Sequence, residues 1–282
     1  MNNKTIAILM ATFNGGKYVG EQLDSILTQT TVNWHLYAHD DGSTDDTTAI
    51  LQSYAARYPQ RITLLNYPPE GGVFQNFMSM LEKTDADYYM FCDQDDIWHP
   101  DKIEKSMAII NCQENKLGSI PIVIHTDLKV VDERGNTIAP SLWQQAGMHP
   151  EMFKTFGQRI TNVLSGCTML FNKPARNAAL SKKPYGHPLH DEWVAIRACA
   201  EGGCITPVFE PLIDYRQHSA NASGAEACYN KKDMVYYLTS IKKIYQENRN
   251  NYLVLKSAGY GSLLTYIFNK IRNIFVYHFM YR

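Results

Sequence analysis

Tyr88-Tyr89-Met90-Phe91-Cys92-Asp93-Gln94-Asp95-Asp96 decides the reading of this 282-residue chain: an unbroken apolar run ends on three carboxylates in four residues. The apolar half fits a strand buried on both faces. The acidic half repels itself unless a cation lies within it. Asp93 and Asp95, at alternate positions on a turn leaving a strand, can converge on one hard divalent ion, Mn2+ or Mg2+, which takes oxygen ligands and commonly bridges protein to a diphosphate. Taken alone, a solvated turn with a cap before the helix that Pro100 announces explains these residues about as well.

Upstream, residues 6–10 form a short apolar run closed by Asn14-Gly15-Gly16, and Val19, Leu23, Ile26 and Leu27 then recur at helical spacing. A second strand over 34–39 ends in Asp40-Asp41-Gly42. Ser43, with Asp46 three residues on, reads as a capping box opening a helix that runs to Tyr58. Residues 62–65 read as a strand, 73–82 as a helix and 88–92 as a strand. This alternation predicts an α/β fold, a parallel sheet with helices on both faces. Ligand crevices in such sheets lie beyond the C-terminal strand ends. The three polar loops, 13–16, 40–43 and 93–96, therefore share one edge. Beyond Asn115 the pattern is mixed, with strands expected at 122–124, 128–131 and 167–171 and helices at 191–200 and 231–248.

The length and the 45% hydrophobic content suit one large domain with an appendage. Net charge is −1, but from Tyr229 onward nine Lys/Arg face only Asp233 and Glu247, so that segment carries +7 against −8 before it. A basic end on an acidic body suits an anionic surface. Nucleic acid is the weaker partner, because no reader motif is present. Six cysteines without Cys-x-x-Cys spacing read as reduced thiols of a cytoplasmic protein. The apolar run after Thr5 is too short for a signal peptide.

Phe13 can offer a stacking face to a base, and one carboxylate of the Asp40-Asp41 pair can accept from the imide N–H of uracil or thymine. Ala11-Thr12-Phe13-Asn14-Gly15, Asp40-Asp41-Gly42-Ser43-Thr44-Asp45 and Asp93-Gln94-Asp95-Asp96, in this order and spacing, resemble glycosyltransferase family 2. That family comprises inverting enzymes of the GT-A fold. Tyr18, Glu21-Gln22-Leu23, Asp96-Ile97-Trp98, Pro100 and Lys102 bring the resemblance nearest to the bacterial polysaccharide and rhamnosyltransferase-like branch, and it covers residues 5–225.

The resemblance implies that the nucleotide sugar lies on Ala11, Thr12, Phe13 and Asn14, with Asp41 on the base and Gly72 and Asn76 beneath the nucleotide. Asp93 and Gln94 would approach the ribose, Asp93 and Asp95 with His218 would hold the metal, and Arg216 would meet the phosphates. Asp191 would be the catalytic base, with Glu192 in reserve. Trp98, Gly166, Cys167 and Trp193 would face the acceptor. One departure is Glu70, where many relatives carry a basic residue near Gly71. The expected reaction is metal-dependent transfer from a UDP- or dTDP-sugar, with dTDP-rhamnose favoured, to a polyprenyl-linked glycan hydroxyl in surface polysaccharide synthesis. Two other readings stand beside it. A sugar-phosphate nucleotidyltransferase would grip a triphosphate with Gly15-Gly16-Lys17, and a binding module would dock the nucleotide sugar without transfer.

The GT-A domain is expected over 1–225, with its nucleotide half ending near 124 and its acceptor half near 223; 226–282 form a helical tail. From 252 the tail holds no acid and is dense in Tyr, Phe, Leu and Ile. Lys270 and Arg272 fall mid-run, each costing about 2.5–3.5 kcal/mol at a bilayer centre, so an interfacial helix suits it better than a span. The expected location is peripheral, on the inner face of the bacterial cell membrane, with oligomerisation left open.

Overall fold

A computed structural model describes residues 4–152, 164–219 and 241–280. The 223–225 domain boundary, Cys228 and the first part of the helix expected from 231 lie outside the described residues.

Four parallel strands build the first half: β1 (Ile6–Thr12), β2 (Trp34–Asp40), β3 (Ile62–Leu64) and β4 (Tyr88–Cys92), in the order β3-β2-β1-β4. They are joined by α1 (Val19–Leu27), α2 (Thr47–Arg57) and α3 (Val73–Lys83). The second half adds β5 (Ile97–Trp98), α4 (Lys102–Leu117), β6 (Ile122–Val131), β7 (Thr137–Ala139), α5 (Leu142–Ala146), β8 (Met169–Asn172), α6 (Lys173–Leu180), α7 (His190–Ala200) and β9 (Cys204–Arg216). β8 runs antiparallel to both β4 and β6 and so welds the two halves into one sheet. β6 and β9 pair in parallel, and β5 closes the far edge against β9.

Side-chain alternation explains the two-sided core. Ile6, Ile8 and Met10 of β1 join Tyr88 and Met90 of β4 in one cluster with α1 and α4. Ala7, Leu9, Tyr89 and Phe91 join Phe77 of α3 and Trp193 of α7 in the other. Fully burying an aliphatic side chain of this size stabilises by about 1.5–3 kcal/mol, so both helical layers are firmly held and the sheet's C-terminal rim has a rigid mount.

The structure bears on two expectations. Ser43 does not cap α2: its hydroxyl donates to Asp40 and the helix begins at Thr47, whose own N–H and hydroxyl turn to Asp45. The other concerns the C-terminal helices, which the sequence left open between packing on the domain and standing apart from it. α8 (Ile241–Ser257) and α9 (Leu263–Met280) pack on the α7 face, with Val254, Leu255, Tyr260 and Tyr266 buried in the second core.

Candidate active site

The donor side begins with loops that brace one another. Asn14 adopts a left-handed backbone (φ 48°) that turns the chain after β1. Its N–H donates to Ser43 Oγ at 2.7 Å, and its Oδ1 accepts from the Thr44 N–H at 2.9 Å. Gln94 brackets the Phe13 peptide, accepting from its N–H at 2.9 Å and donating to its carbonyl at 3.0 Å. A Cβ on Gly15 would stand 2.2 Å from that Gln94 amide, so glycine is what admits the clip. Phe13 is left 56% exposed on this rim, an open face for a base.

The adjacent acids divide their work. Asp40 accepts from the Gly42 and Ser43 N–H groups and from the Thr12 hydroxyl, so it shapes the turn. Asp41 accepts from the N–H groups of Glu70, Gly71 and Gly72 at 2.6, 3.0 and 2.9 Å. A carboxylate offers about four lone-pair sites, which leaves room for a donor from a bound base. Asn76 is buried and bonds His39 Nδ1 at 2.8 Å, while His39 stacks on Tyr67 with centroids 3.7 Å apart. Asn76 therefore props the crevice floor and does not reach into the crevice.

At the acidic bend Asp95 Oδ2 lies 2.8 Å from His218 Nε2. Cis ligands of an octahedral Mg2+-type ion at about 2.1 Å stand roughly 3 Å apart, so the spacing of this pair suits a hard divalent ion, and the charge of Asp95 acts on the neighbouring Asp93. A second grouping, Asp93, Asp96 and Cys167, brings three ligand atoms within 4.8 Å of one another, but its soft thiol suits Mg2+ or Mn2+ less well than oxygen or imidazole ligands do. Tyr18 stacks on His218 at 4.6 Å and holds the imidazole toward the bend.

Arg216 differs from its expected role. Its guanidinium is buried, donates to the carbonyls of Asp95 at 3.1 Å and Glu133 at 3.0 Å, and pairs with Glu21. It braces the bend and has little left for a phosphate. Lys17 pairs with Glu133 at 2.9 Å, and the N–H groups of Asn14, Gly15 and Gly16 are all taken by side chains. The two glycine N–H groups of this loop are thus committed to bracing its own turn.

Asp191 faces this bend from the first turn of α7 and is only 5% exposed. Burial raises its pKa to about 7, the Glu192 charge adds to the rise, and backbone N–H groups of Glu192 and Gly166 oppose it. Asp93 is also raised to about 7, by burial first and then by the charges of Asp95 and Asp191. The two carboxyls are thus close enough to repel. Gly166 sits where a Cβ would come within 2.4 Å of His190 Nε2, and its glycine lets the turn carrying Cys167 close over α7. His190 is clamped between Phe77 at 4.0 Å and Phe91 at 4.7 Å. Burial lowers its pKa to about 3, so it stays neutral beside the base.

Two tryptophans expected near the acceptor are instead core. Trp193 is fully buried and donates its indole N–H to the Ala179 carbonyl at 3.0 Å. Trp98 is buried beneath the Lys102 ammonium, 4.0 Å from its ring centroid. Trp143 is also buried, edge-on to Phe209. Their spacing matches either role, and only burial separates them. Tyr18 and Glu133 were not singled out as site residues, because their contacts with His218, Lys17 and Arg216 join distant parts of the chain.

An acidic bend on one side and a buried carboxyl facing it from the other half are an arrangement suited to transfer of a sugar from a nucleoside diphosphate; the class is a nucleotide-sugar glycosyltransferase. The match of the model for Glycosyl transferase family 2 to residues 7–177 is decisive, and the chain belongs to that family. It is 28% identical over 228 residues to the dTDP-rhamnosyl transferase RfbG of Shigella flexneri, covering 79% of this chain and 76% of that protein. The structure resembles S. aureus TarS in complex with UDP-GlcNAc, with TM-score 0.55 and 18% identity over 83% of this chain and 64% of TarS. It also resembles the mannosyltransferase PcManGT of Pyrobaculum calidifontis in complex with GDP-Man and Mn2+, with TM-score 0.56 and 14% identity over 99% of this chain and 82% of that one. The fold is GT-A.

Proposed function

We propose that this enzyme transfers a sugar, with inversion and with the help of a divalent metal, from a dTDP- or UDP-linked donor to a hydroxyl of a lipid-linked glycan. The likeness to a dTDP-rhamnosyl transferase favours dTDP-rhamnose as donor. One observation carries the reading: the buried Asp191 opposes the Asp93–Asp95 bend closely enough for charge coupling.

Asp95, His218 and Asp93 would hold the ion, which when bound neutralises charge growing on the departing diphosphate. Phe13 and Asp41 receive the base. Asp191 removes the proton of the acceptor hydroxyl as its oxygen attacks the anomeric carbon, a contribution of about 10²–10⁴ in rate. A pKa raised to about 7 suits such a base, because it is ionised near neutrality and still basic. The sheet of packed rings around His190 excludes water from that carboxyl. Asp191→Asn tests the assignment, with donor binding retained and transfer lost; unimpaired turnover would sink it.

The lipid-linked acceptor and a place on the inner membrane face are supported by α9. Leu264, Ile267, Phe268 and Ile271 form an exposed stripe at helical spacing, opposite the buried Tyr266. Tyr266 feels the charge of Glu192, so α9 borders the acceptor side. No helix among the described residues is long and apolar enough to cross a membrane, and the exposed stripe beside cationic residues fits the headgroup region. Partitioning onto anionic liposomes should fall when the stripe is changed to serine, and unchanged partitioning counts against membrane contact.

A further inference from the structure

Beneath the acidic bend lies a set of polar side chains that the proposed chemistry does not use. Asp96 is 1% exposed, and Lys102 and Ser106, one turn apart on the same face of α4, are 0% exposed. Among the described residues, Trp98 Nε1, Lys102 Nζ and Ser106 Oγ lack a hydrogen-bond partner, while Asp96 is approached by the Cys167 thiol and the Arg216 N–H. The backbone around them is pinned directly. The Trp98 N–H donates to Ser25 Oγ at 3.0 Å, and the Ile103 N–H donates to Gln29 Oε1 at 3.1 Å. The three donor side chains are left unanswered.

Their chemistry is complementary. The ammonium, the indole and the hydroxyl bring donors, and the carboxylate brings acceptors. The Lys102 ammonium sits over the Trp98 ring and within electrostatic reach of Asp96, Cys92 and Cys167. Donors and acceptors that face one another beyond direct bonding distance in a buried polar site are the setting that internal water bridges. A buried ammonium left unlinked to its carboxylate would cost far more than such a bridge.

We infer that Asp96, Trp98, Lys102 and Ser106 enclose a water-bridged chamber under the bend, in which Lys102 is the positioning residue that holds Asp96 and thereby the course of residues 93–96. The inference rests on the proposed ion site, because its consequence is felt there. Removing a positive charge near a cation site would by itself tighten the cation, whereas losing the framework that shapes the site loosens it. The sign therefore separates positioning from a simple field.

The experiment is a manganese titration of sugar transfer by the full chain and by Lys102→Met, with thermal melting run alongside. Lys102 as a positioning residue predicts that half-saturating metal rises at least tenfold while acceptor KM stays within twofold. Should Lys102→Met fail to fold, Asp96→Asn/Lys102→Met removes both charges together and is expected to show the same loosening. Unchanged or tighter metal response in a folded variant overturns the inference. A wild-type enzyme indifferent to metal overturns instead the ion-dependent reading of the site.

Discussion

Two groups of carboxylates stand on the same rim of the sheet and meet opposite surroundings. Asp40, Asp41 and Asp45 at the β2 end are each met by backbone N–H groups of neighbouring loops. For Asp45, burial is outweighed by the Thr47 hydroxyl and the Gly16 and Thr47 N–H groups, and its pKa is lowered. Asp96 and Asp191 are buried and Asp93 partly so, and desolvation with the charges of neighbouring acids raises all three. The first group spends its charge on building loops. The second group is raised by desolvation and mutual repulsion, and perturbed carboxyls gathered in a cleft are candidates for a reactive site.

The sharpest way to break this contrast is substitution on each side of it. Asp191→Asn is expected to reduce kcat about 10²–10⁴-fold while donor binding measured by calorimetry stays within twofold. Asp95→Asn should behave differently, raising the metal needed for half-activity by more than tenfold. Asp40→Ala, on the scaffold side, should instead lower stability by about 0.5–1.5 kcal/mol through the lost bonds to Thr12, Gly42 and Ser43 in a denaturant melt, with activity following only as the loops loosen. If Asp40→Ala abolished turnover at full stability, the division between the groups would fail.

Titration sharpens the same contrast. With Asp191 raised to about 7, kcat/KM at saturating metal should climb about tenfold per pH unit below that value and level above it. Stability runs the other way. Asp93 and Asp191 bind protons in the folded state that the unfolded chain has released above about pH 4, so the metal-free protein should lose stability as pH rises from about 4 to 7. Added metal with nucleoside diphosphate should restore melting temperature at pH 7 by mass action. A flat melting profile across that window would contradict the burial of these groups. The smallest effect is expected for changing Leu264, Ile267, Phe268 and Ile271 to serine, with weaker liposome partitioning and unaltered turnover on a soluble acceptor analogue.

Legibility in the sequence followed the same division. β1 and β4 are continuous or nearly continuous apolar runs ending on polar loops, β2 and β3 are short mixed ones, and the bounds of all four agree with expectation to within one or two residues. The second half was less readable because its strands carry buried polar groups and prolines. β6 is one ten-residue strand where two pieces were expected. The interruption is His125-Thr126-Asp127, and Asp127 is buried because the Leu128 and Trp143 N–H groups and the Ser141 hydroxyl satisfy it. β9 passed unnoticed except for its last residues, since Pro207 and Pro211 read as loop; Pro211 sits at a register shift against β6. Asp191 and the acidic bend were legible as motifs. That Trp98, Trp193 and Arg216 serve packing and bracing depends on contacts made across distant segments, which no local pattern encodes.

The central claim is that the bend of Asp93 and Asp95, with His218, receives the ion that bears the donor diphosphate while Asp191 waits across from it. An anomalous-difference map from crystals soaked with Mn2+ and the nucleoside diphosphate tests it most directly. The account predicts a manganese peak within bonding distance of Asp95 and His218 and bridging to the diphosphate. A peak at the Asp96 and Cys167 side, or nucleotide bound with no metal at the bend, would contradict it.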